Sequence, residues 1–480
     1  MPLNKEILQP YKKRIFIESG TNIGEGVQCA LDVGFEEIYS IEINEEFFKK
    51  SSERFRDNEK VNLIKGDSKE EFVKILRQIQ EPATIWLDAH TRTDASIMEE
   101  LEALQQHPIK DHIILIDDVI DFIKVYKEIK FNNLTEGLKK INPNYHLSFI
   151  DNTHYTNNIL LAEEKRILHI DHFANTNTNA YWLKAFKKFG RVETVEIYGA
   201  DIDLLGKKIM KFKPHHIHLG GSVKNNMVPL GFLSEIKRKI NCTVSVLYGD
   251  ATYSDYHSNL SKVVDYIYMT NKTHIRTNES KGLRNFKYIP GPTDPEVFKH
   301  YEIQKEYDVI FIGNNNQDSR LPILERLSEI FNLKVFGAGW EGTNLNFSGP
   351  VFGEEFSKVC SRAKISIGIV DTKGENLETY FSNRLANTLA TGCFFINHYN
   401  PGMEKIFTNK KHLVWYKDEE ELIELIRYYL VNEEEREKIA TDGQKEVCEN
   451  YTYEKSVKRI LDDSNVVLTL DLENVRRFKK

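Results

Sequence analysis

The sequence has few cysteines, no long apolar run and no excess of basic residues. Its five cysteines among 480 residues are scattered and form no CxxC pair, which argues against a disulfide framework or a thiolate zinc site. No apolar run reaches the ~20 residues of a membrane helix, and residues 1–14 lack the apolar centre of a signal peptide. The net charge of −7 disfavours nucleic acid as a partner. We therefore expect a cytoplasmic chain without a membrane span.

What is present is enough apolar material for several cores. Hydrophobic residues make up 40% of the chain and aromatic residues 11%. A single core rarely grows past roughly 250–300 residues, so 480 residues predict two or three domains. Short runs of Ile, Val and Phe alternate with longer amphipathic segments, which is typical of parallel α/β folds.

This alternation starts three times along the chain. The predicted strands of the first unit are 14–18, 37–42, 61–66, 84–89 and 112–117, closed by an antiparallel pair at 146–151 and 158–163. The pattern restarts at 166–171 and, after a proline-rich hinge at 290–298, again at 307–314. We predict an α/β protein with three Rossmann-like units at 1–163, 164–295 and 296–462, followed by a short tail at 463–480.

A glycine-rich turn follows the first predicted strand, in IFIESGTNIGEG (15–26). Glycines let the backbone approach a ligand, and the start of the next helix favours polar groups. Glu18 precedes the glycines, which suits a ligand with a cationic amino group and would repel a dinucleotide pyrophosphate. Glu42 ends the second strand, where a carboxylate can accept ribose hydroxyl protons, and Asp67 follows the third strand. The alternative is an ordinary α/β turn.

This combination resembles the class I S-adenosylmethionine-dependent methyltransferases. The resemblance covers the first unit and implies S-adenosylmethionine as the cofactor. The residues that it implies for cofactor binding are Glu18, Gly20, Thr21, Gly24, Gly26, Glu42, Asp67 and Asp88.

More acidic residues follow the next two strands, at Asp88 and at Asp117–Asp118. The carboxyl ends of parallel strands meet at one edge of a sheet, and Mg²⁺ prefers carboxylate oxygens. The pattern resembles the metal-assisted sugar O-methyltransferases, which implies Asp88, Asp117 and Asp118 as metal ligands and His90 as the general base. The alternatives are a helix cap for the aspartates, a hydrogen-bonded loop histidine, or a domain that only binds.

The third unit contains a helix, a glycine turn, a buried strand and a further helix at 380–407, followed by amphipathic helices at 430–461. These segments resemble GT-B glycosyltransferases, in particular the CgeB-like and glycosyl transferases group 1 type, with a resemblance that spans 165–462. It implies two Rossmann-like lobes, an active site in the cleft between them, and a nucleotide-sugar donor on the C-terminal lobe.

Three loops of this unit supply the predicted donor site. Glycines, hydroxyl groups and guanidinium groups at helix starts suit a nucleotide diphosphate. The predicted residues are Gly313, Asn314, Arg320, Gly337, Gly339, Trp340, Tyr380, Ser382, Asn383, Arg384 and Asn387. Asn387 stands where related enzymes usually carry a ribose-binding glutamate, and Glu378 lies one residue away from the first position of the retaining-type pair. Alternatives are a plain turn at 314–316, a core role for Trp340 and a surface ion pair for Arg384.

The acceptor lobe offers two candidate bases, His172 in the first loop and Asp250 after a middle strand. His216 and His218 share one face of a strand, where a metal ion or an ordinary packed role is open. We expect a bifunctional enzyme that extends and O-methylates one glycan or glycoconjugate acceptor, as in surface polysaccharide or glycoprotein assembly. The alternatives are a glycosyltransferase with a non-catalytic methyltransferase-like module, an enzyme that glycosylates a base in nucleic acid, and a pair of structural relics.

Overall fold

The computed structural model describes residues 3–90, 95–126, 129–152, 155–173, 178–223, 227–248, 255–315, 320–369 and 377–464. The chain divides after Lys165 into an N-terminal domain and a C-terminal domain, two residues beyond the predicted boundary at 163. The α/β prediction is confirmed, because each of the three sheets is built from strands that alternate with helices. None of the described helices combines the length and the apolar character needed to cross a membrane.

The N-terminal domain is a seven-stranded sheet between helices. Its strands are β1 (Ile15–Ser19), β2 (Glu37–Glu42), β3 (Val61–Lys65), β4 (Thr84–Leu87), β5 (Ile113–Ile116), β6 (Tyr145–Ile150) and β7 (Ile159–Glu164). Its helices are α1 (Lys5–Leu8), α2 (Glu25–Val33), α3 (Glu45–Arg54), α4 (Ser68–Leu76), α5 (Ile97–Gln106), α6 (Val119–Val125) and α7 (Phe131–Ile141), with a 3₁₀ turn at Gln9–Tyr11.

The strand order is β3-β2-β1-β4-β5-β7-β6. The first five strands are parallel, and β7 runs antiparallel to both β5 and β6, so the predicted antiparallel pair is confirmed. Order 3-2-1-4-5 brings the carboxyl ends of β1 and β4 together at the point where the order reverses, which is where such sheets bind ligands. Apolar layers cover both faces of the sheet.

The first lobe of the C-terminal domain holds six parallel strands in the order β13-β12-β11-β10-β8-β9. They are β8 (Arg166–Asp171), β9 (Arg191–Glu196), β10 (His216–Leu219), β11 (Thr243–Tyr248), β12 (Tyr266–Met269) and β13 (Phe286–Tyr288). The helices are α8 (Asn179–Phe186), α9 (Ile202–Phe212), α10 (Leu230–Ile240), α11 (Asp255–Leu260) and α12 (Lys272–Ser280).

The second lobe also holds a six-stranded parallel sheet, but with a different order, β16-β15-β14-β17-β18-β19. Its strands are β14 (Tyr307–Ile312), β15 (Leu333–Phe336), β16 (Phe347–Ser348), β17 (Ala363–Gly368), β18 (Phe394–His398) and β19 (Val414–Tyr416). Its helices are α13 (Leu321–Ile330), α14 (Gly353–Ser361), α15 (Asn383–Ala390), α16 (Glu419–Val431), α17 (Glu433–Asn450) and α18 (Tyr453–Asp463), with a 3₁₀ turn at Met403–Lys405.

Helix α18, the last in the described part of the chain, follows the second lobe and packs on the first. Its apolar residues Tyr453, Val457 and Ile460 join Trp182 and Phe186 of α8 in one buried cluster. The carboxylate of Asp463 accepts hydrogen bonds from Tyr268 and Lys287 of the first lobe. Helix α18 therefore joins the two lobes of the C-terminal domain.

Candidate active sites

A cavity of about 420 Å³ lies in the C-terminal domain beside the carboxyl ends of β14 and β15. Its wall combines the loops after these strands, the starts of α14 and α15, and Thr178 and Tyr181 from the beginning of α8. Residues from both lobes therefore contribute to it. The edge of a parallel sheet at which strand order reverses is the usual ligand site of such folds.

Two glycines bring the loops after β14 and β15 into contact. A Cβ atom on Gly337 would lie 2.2 Å from the carbonyl oxygen of Gly313, and Gly337 has φ +152°. A Cβ atom on Gly313 would lie 2.6 Å from Nη1 of Arg384. A side chain at either position would separate the loops or displace the guanidinium group. Because these two residues have no side chain, the guanidinium group of Arg384 packs directly against the backbone of the loop after β14.

The guanidinium group of Arg384 is held by neutral groups. Its Nη1 donates to the carbonyl oxygen of Ile312 at 3.0 Å and its Nη2 to that of Ile369 at 3.3 Å. It lies 5.5 Å from the ring centroid of Phe311. In the part of the chain that the structure describes, no carboxylate forms an ion pair with it. Burial, with a smaller effect from Arg320, lowers the pKa of Arg384 to about 10, so it stays charged near neutral pH and favours an anionic ligand.

The first turns of α15 supply the other polar groups. Ser382 caps this helix by accepting from the backbone N–H of Leu385. Asn383 donates to the carbonyl oxygen of Pro292 at 3.0 Å and to the hydroxyl group of Tyr453 at 2.8 Å. Asn387 lines the cavity, is 7% exposed, and its Oδ1 accepts no hydrogen bond within the described residues. Asn387 therefore retains an acceptor for a ligand.

The remaining predicted donor-site residues lie in three places: in the wall of the cavity, beside the cavity, and in the core of the lobe. Asn314 lines the cavity and accepts from the N–H of Ala338, while Arg320 donates to the carbonyl oxygen of Asn314 at 2.7 Å. Tyr380 and Ser382 flank the cavity without lining it. Trp340 is fully buried in the lobe core and donates to the carbonyl oxygen of Gly313 at 2.9 Å. The prediction that Trp340 lines the donor site is therefore wrong, and the core alternative applies: its indole N–H holds the loop after β14 from inside the lobe.

The apolar part of the wall was missed by the sequence analysis. It consists of Phe298, Phe336, Pro350, Val351, Phe352 and Phe356. Phe352 is 52% exposed, and Gly353 next to it has φ +53°. A GPVFG stretch between a strand and a helix was the available signal. These side chains suit the flat apolar face of a nucleobase.

In the first lobe, His172 follows β8 and is oriented by an acid on β9. Its Nδ1 lies 2.9 Å from Oε1 of Glu196. Glu196 also accepts from the N–H groups of Phe173 and Tyr198, and these bonds, with that of Phe173 the strongest, lower the pKa of Glu196. A carboxylate that fixes one ring nitrogen directs the other toward a proton acceptor role. The rival base, Asp250, lies outside the described residues.

The two strand histidines have a packed role. His216 contacts the hydroxyl groups of Thr243 and Ser245, and Nδ1 of His218 lies 2.8 Å from the hydroxyl group of Ser245. Both are buried, and burial lowers the pKa of His218 well below its usual range. Among the described residues they belong to no group of possible metal ligands. The ordinary packed alternative therefore fits these positions.

In the N-terminal domain, Glu18 lies buried below the start of α2. It accepts from the hydroxyl group of Ser40 at 2.6 Å, and Ser40 also pairs with Thr21 at 2.6 Å. A Cβ atom on Gly26 would lie 1.7 Å from Oε1 of Glu18, so only glycine leaves room for this carboxylate. Burial is the main cause that raises the pKa of Glu18 to about 8. The site holds a neutral carboxylic acid that a cationic ligand would ionise.

The two acids predicted to contact the nucleoside are engaged by backbone. Glu42 accepts from the N–H of Asn22 at 2.6 Å and from that of Asn44 at 2.7 Å. Asp67 caps α4 by accepting from the N–H of Lys69. Gly20 and Gly24 lie in the turn between Glu18 and α2, as expected. Each carboxylate oxygen has a second lone pair, so these bonds leave room for ligand hydroxyl groups.

The predicted metal cluster has a different composition in the structure. Ligand atoms of Asp88, His90 and Asp118 lie within 4.8 Å of one another. Asp118 has φ +50°, a conformation that non-glycine residues seldom adopt, and it accepts from Asn158 at 2.8 Å. Asp117 turns inward, is 4% exposed, and accepts from Asn152 and from the N–H of Asp118. Burial and then Asp88 raise the pKa of Asp117 to about 8, so the neutral form of this acid makes a poor ligand.

His90, predicted as a base, therefore takes the place of Asp117 in this group. Its Nδ1 lies 3.4 Å from Oδ1 of Asp88, and its ring meets Phe122 edge-on. Nδ2 of Asn152 donates to a carboxylate oxygen of both Asp117 and Asp118, so the two acids lie side by side, but only Asp118 belongs to the group with Asp88 and His90. Asp117 is instead buried and engaged by Asn152 and by the N–H of Asp118, which keeps it out of the expected trio.

A comparison with known protein families gives one match, which lies in the second lobe. Residues 320–462 match the sequence profile of a family described as glycosyl transferase-like. No protein with a curated function matches the chain.

Several solved structures resemble the fold. The Anabaena protein HepE in complex with UDP and glucose is 10% identical, with 62% of this chain and 99% of that chain covered and a TM-score of 0.47. A glycosyltransferase from Rickettsia africae is 11% identical, with 62% and 97% covered and a TM-score of 0.49. A Staphylococcus aureus protein provisionally described as a caffeoyl-CoA O-methyltransferase is 17% identical, with 33% and 79% covered and a TM-score of 0.25.

These values lend no residue role to this chain, because every identity is below 25% and every TM-score below 0.5. The profile match, in contrast, covers α15 and most of the cavity wall, including Arg384 and Asn387. Residues 320–462 thus resemble a glycosyl transferase-like family in sequence.

Proposed function

We propose that the C-terminal domain transfers a sugar from a nucleotide-sugar donor to a hydroxyl group of a glycan or glycoconjugate acceptor. The observation that carries this proposal is the guanidinium group of Arg384, which lines the cavity without a carboxylate partner among the described residues. A partly buried cation held only by carbonyl oxygens is stabilised when an anion binds. The glycosyl transferase-like profile over the same residues supports the choice of a sugar-nucleotide diphosphate.

The donor half of the reaction follows from the cavity wall. The diphosphate lies against Arg384 and the N–H groups at the start of α15, whose dipole favours negative charge. Asn387 accepts a hydrogen bond from a ribose hydroxyl group, and the base rests on Val351 and Phe352. When the bond between the anomeric carbon and the phosphate oxygen breaks, its electrons stay on the diphosphate, and these groups stabilise the added charge.

The acceptor half uses His172. Its imidazole takes the proton of the acceptor hydroxyl group while that oxygen forms a bond to the anomeric carbon, and Glu196 stabilises the imidazolium that results. A single displacement of this kind inverts the configuration at the anomeric carbon. The proton leaves with His172 and the electron pair with the diphosphate, so the step balances.

Nucleotide binding tests the proposal directly. Thermal shift and calorimetry with UDP, GDP, ADP and the corresponding sugar nucleotides should identify one base that stabilises the chain. Arg384→Ala should weaken this binding about ten- to a hundred-fold, as expected for lost charge-assisted hydrogen bonds. Arg326→Ala is the matched control, because Arg326 is exposed and pairs with Glu419 and Glu420. Equal affinity of the Arg384→Ala variant would refute the donor site.

A second activity is favoured by the buried acid of the N-terminal domain. We propose that this domain binds S-adenosylmethionine and O-methylates a sugar, so that one glycan is both extended and methylated. The ammonium group of the cofactor would ionise Glu18, and Glu42 would accept its ribose hydroxyl groups. The alternative is a domain that binds the cofactor without transferring its methyl group.

The group of Asp88, His90 and Asp118 fits a divalent cation, since two carboxylates and an imidazole are suitable ligands and their atoms lie close together. Such an ion would polarise a sugar hydroxyl group and favour its deprotonation. Asp118 is preset for this role by its left-handed backbone and by its bond from Asn158.

Calorimetry of the full chain with S-adenosylmethionine, with Glu18→Gln as the variant, tests the binding. Glu99→Gln, an exposed position on α5, is the control. Binding that is lost in the Glu18 variant supports the proposal, and the absence of heat at millimolar cofactor would reject it. Methyl transfer to a sugar acceptor, measured with and without Mg²⁺ and EDTA, then separates an active enzyme from a binding module.

A further inference from the structure

A second cavity, of about 220 Å³, lies at the hinge of the C-terminal domain. We call it the hinge cavity, and it is lined by Tyr181, Lys184, Ala185, Lys188, Thr293, Asp294, Pro295, Glu296, Thr452, Tyr453 and Glu454. The first three belong to α8 of the first lobe and Lys188 follows this helix, the next four belong to the hinge, and the last three form the N-cap and the start of α18. Neither proposed reaction uses this space.

Size limits what the hinge cavity can hold. A cavity of about 150 Å³ accommodates benzene. Pockets for drug-sized ligands span roughly 300–1,000 Å³. A volume of about 220 Å³ therefore suits one six-membered ring with its substituents.

Charge selects against ions. Lys184 pairs with Asp294 at 2.8 Å and with Glu296 at 2.7 Å, and Lys188 pairs with Glu454 at 2.5 Å. An anionic or a cationic ligand would have to displace one of these ion pairs. The cavity thus favours a neutral ligand that can hydrogen-bond to groups already engaged with one another.

Two further features point to a polyol with an apolar face. Thr293 is fully buried, and its hydroxyl group has no hydrogen-bond partner among the described residues. A buried hydroxyl group without a partner is unfavourable and gains from a ligand that supplies one. The rings of Tyr181 and Tyr453, whose centroids are 5.5 Å apart, provide the apolar surface. A sugar ring combines hydroxyl groups at its edge with C–H groups on its face.

We propose that the hinge cavity is a second saccharide site, which takes a single neutral hexose. It is distinct from the donor cavity, although Tyr181 lines both. A Cβ atom on Gly353 would lie 3.5 Å from the hydroxyl group of Tyr181, so that end of the side chain faces the donor cavity. Tyr453 of the hinge cavity also accepts a hydrogen bond from Asn383, the first residue of α15. A hexose here would contact both lobes and α18.

Saturation-transfer NMR on the full chain, with D-glucose, D-galactose and D-mannose in turn, tests this site. At least one hexose should give a signal in the wild-type protein. Thr293→Val should weaken its binding about fivefold, the effect expected for one lost hydrogen bond. Thr441→Val, the same substitution at an exposed position of α17, should leave binding unchanged.

Two further variants keep the result unambiguous. Arg384→Ala in the donor cavity should retain the signal, and Lys184→Ala at the partly exposed rim should reduce it as Thr293→Val does. Thr293→Val preserves shape and removes only an unpaired hydroxyl group, so its melting temperature should be unchanged or raised. No signal from any hexose, or a signal that Arg384→Ala removes and Thr293→Val does not, would overturn the proposal. The test stands apart from the donor site, because it requires no nucleotide.

Discussion

Arg384 is half-buried and Arg436 is fully buried, and their surroundings differ. Arg436 is 1% exposed, bonds to Glu433 and Glu437, and donates to the carbonyl oxygen of Tyr429 at 2.8 Å. It therefore has a structural role in joining α16 to α17. Arg436→Ala should lower the unfolding free energy by about 2–3 kcal/mol in chemical denaturation, from lost charged hydrogen bonds. Nucleotide affinity of the folded variant should stay at the wild-type value, and a parallel loss of affinity would contradict this division of roles.

Asn387 allows a finer test of the donor site. Because its Oδ1 has no partner within the described residues, Asn387→Ala should leave the melting temperature nearly unchanged. It should weaken nucleotide diphosphate binding about fivefold, the effect of one lost neutral hydrogen bond. The 2′,3′-dideoxynucleotide serves as the control in calorimetry. It should bind wild type and variant equally, and a fivefold difference with this ligand as well would exclude ribose as the partner.

Buried acids make the N-terminal domain sensitive to pH. Burial raises the pKa of Glu18 from 4.5 to about 8, so the folded state holds this proton more tightly than the unfolded state does. Stability from this group is fully present below pH 4.5 and is lost as the pH rises toward 8. The slope is at most about 1.4 kcal/mol per pH unit for each such group. Asp117, with its pKa raised to about 8, acts in the same direction.

Denaturation of the full chain at several pH values between 5 and 8 should therefore show the N-terminal transition weakening as the pH rises. Glu18→Gln, which cannot ionise, should flatten this dependence. Glu99→Gln, in an exposed part of α5, should leave it intact. An unchanged slope in the Glu18→Gln variant would show that another group is responsible.

At the scale of elements, the contact between the loops after β14 and β15 leaves no room for a side chain at Gly337. Gly337→Ala would place a methyl group 2.2 Å from the carbonyl oxygen of Gly313, at a φ of +152°. The loops must separate, so we expect a loss of about 2–4 kcal/mol of stability and at least a tenfold loss of nucleotide affinity. Gly231→Ala is the control, because a methyl group there meets nothing within 4 Å and should stabilise α10 by about 0.5–1 kcal/mol.

The bounds of the strands were largely predictable from the sequence, but the placement of individual side chains in the loops was not. Buried runs such as 37–42 and 166–171 match β2 and β8 residue for residue, since parallel strands are continuously apolar. Prediction from the sequence pattern failed for Trp340, because an aromatic residue after a glycine-rich loop suits a core as well as a cavity. It also failed for Asp117, because the sequence pattern after β5 does not show that this acid is buried and hydrogen-bonded to Asn152. Phe352 lies in the cavity wall through the GPVFG turn, whose apolar residues gave no sign of a charged ligand.

At the scale of the whole molecule, two domains with different ligands should melt separately. Scanning calorimetry of the full chain is expected to show two transitions. S-adenosylmethionine should raise the midpoint temperature of only the transition that Glu18→Gln shifts. The preferred nucleotide should raise the midpoint temperature of only the transition that Arg384→Ala affects. A ligand at a hundredfold excess over its Kd should add about 2.7 kcal/mol to its own domain. If either ligand raised both transitions equally, the two sites would be energetically coupled.

The position of α18 bears on the order in which the chain is made. The first lobe buries Trp182 and Phe186 of α8 under α18, a helix that the ribosome makes only after the sheet of the second lobe. Domains generally fold as they emerge, but this lobe must wait with an aromatic surface uncovered while the second lobe is synthesised. A chain that stops just before Thr452 should therefore accumulate as insoluble protein in an expression lysate, although both sheets are complete in its sequence.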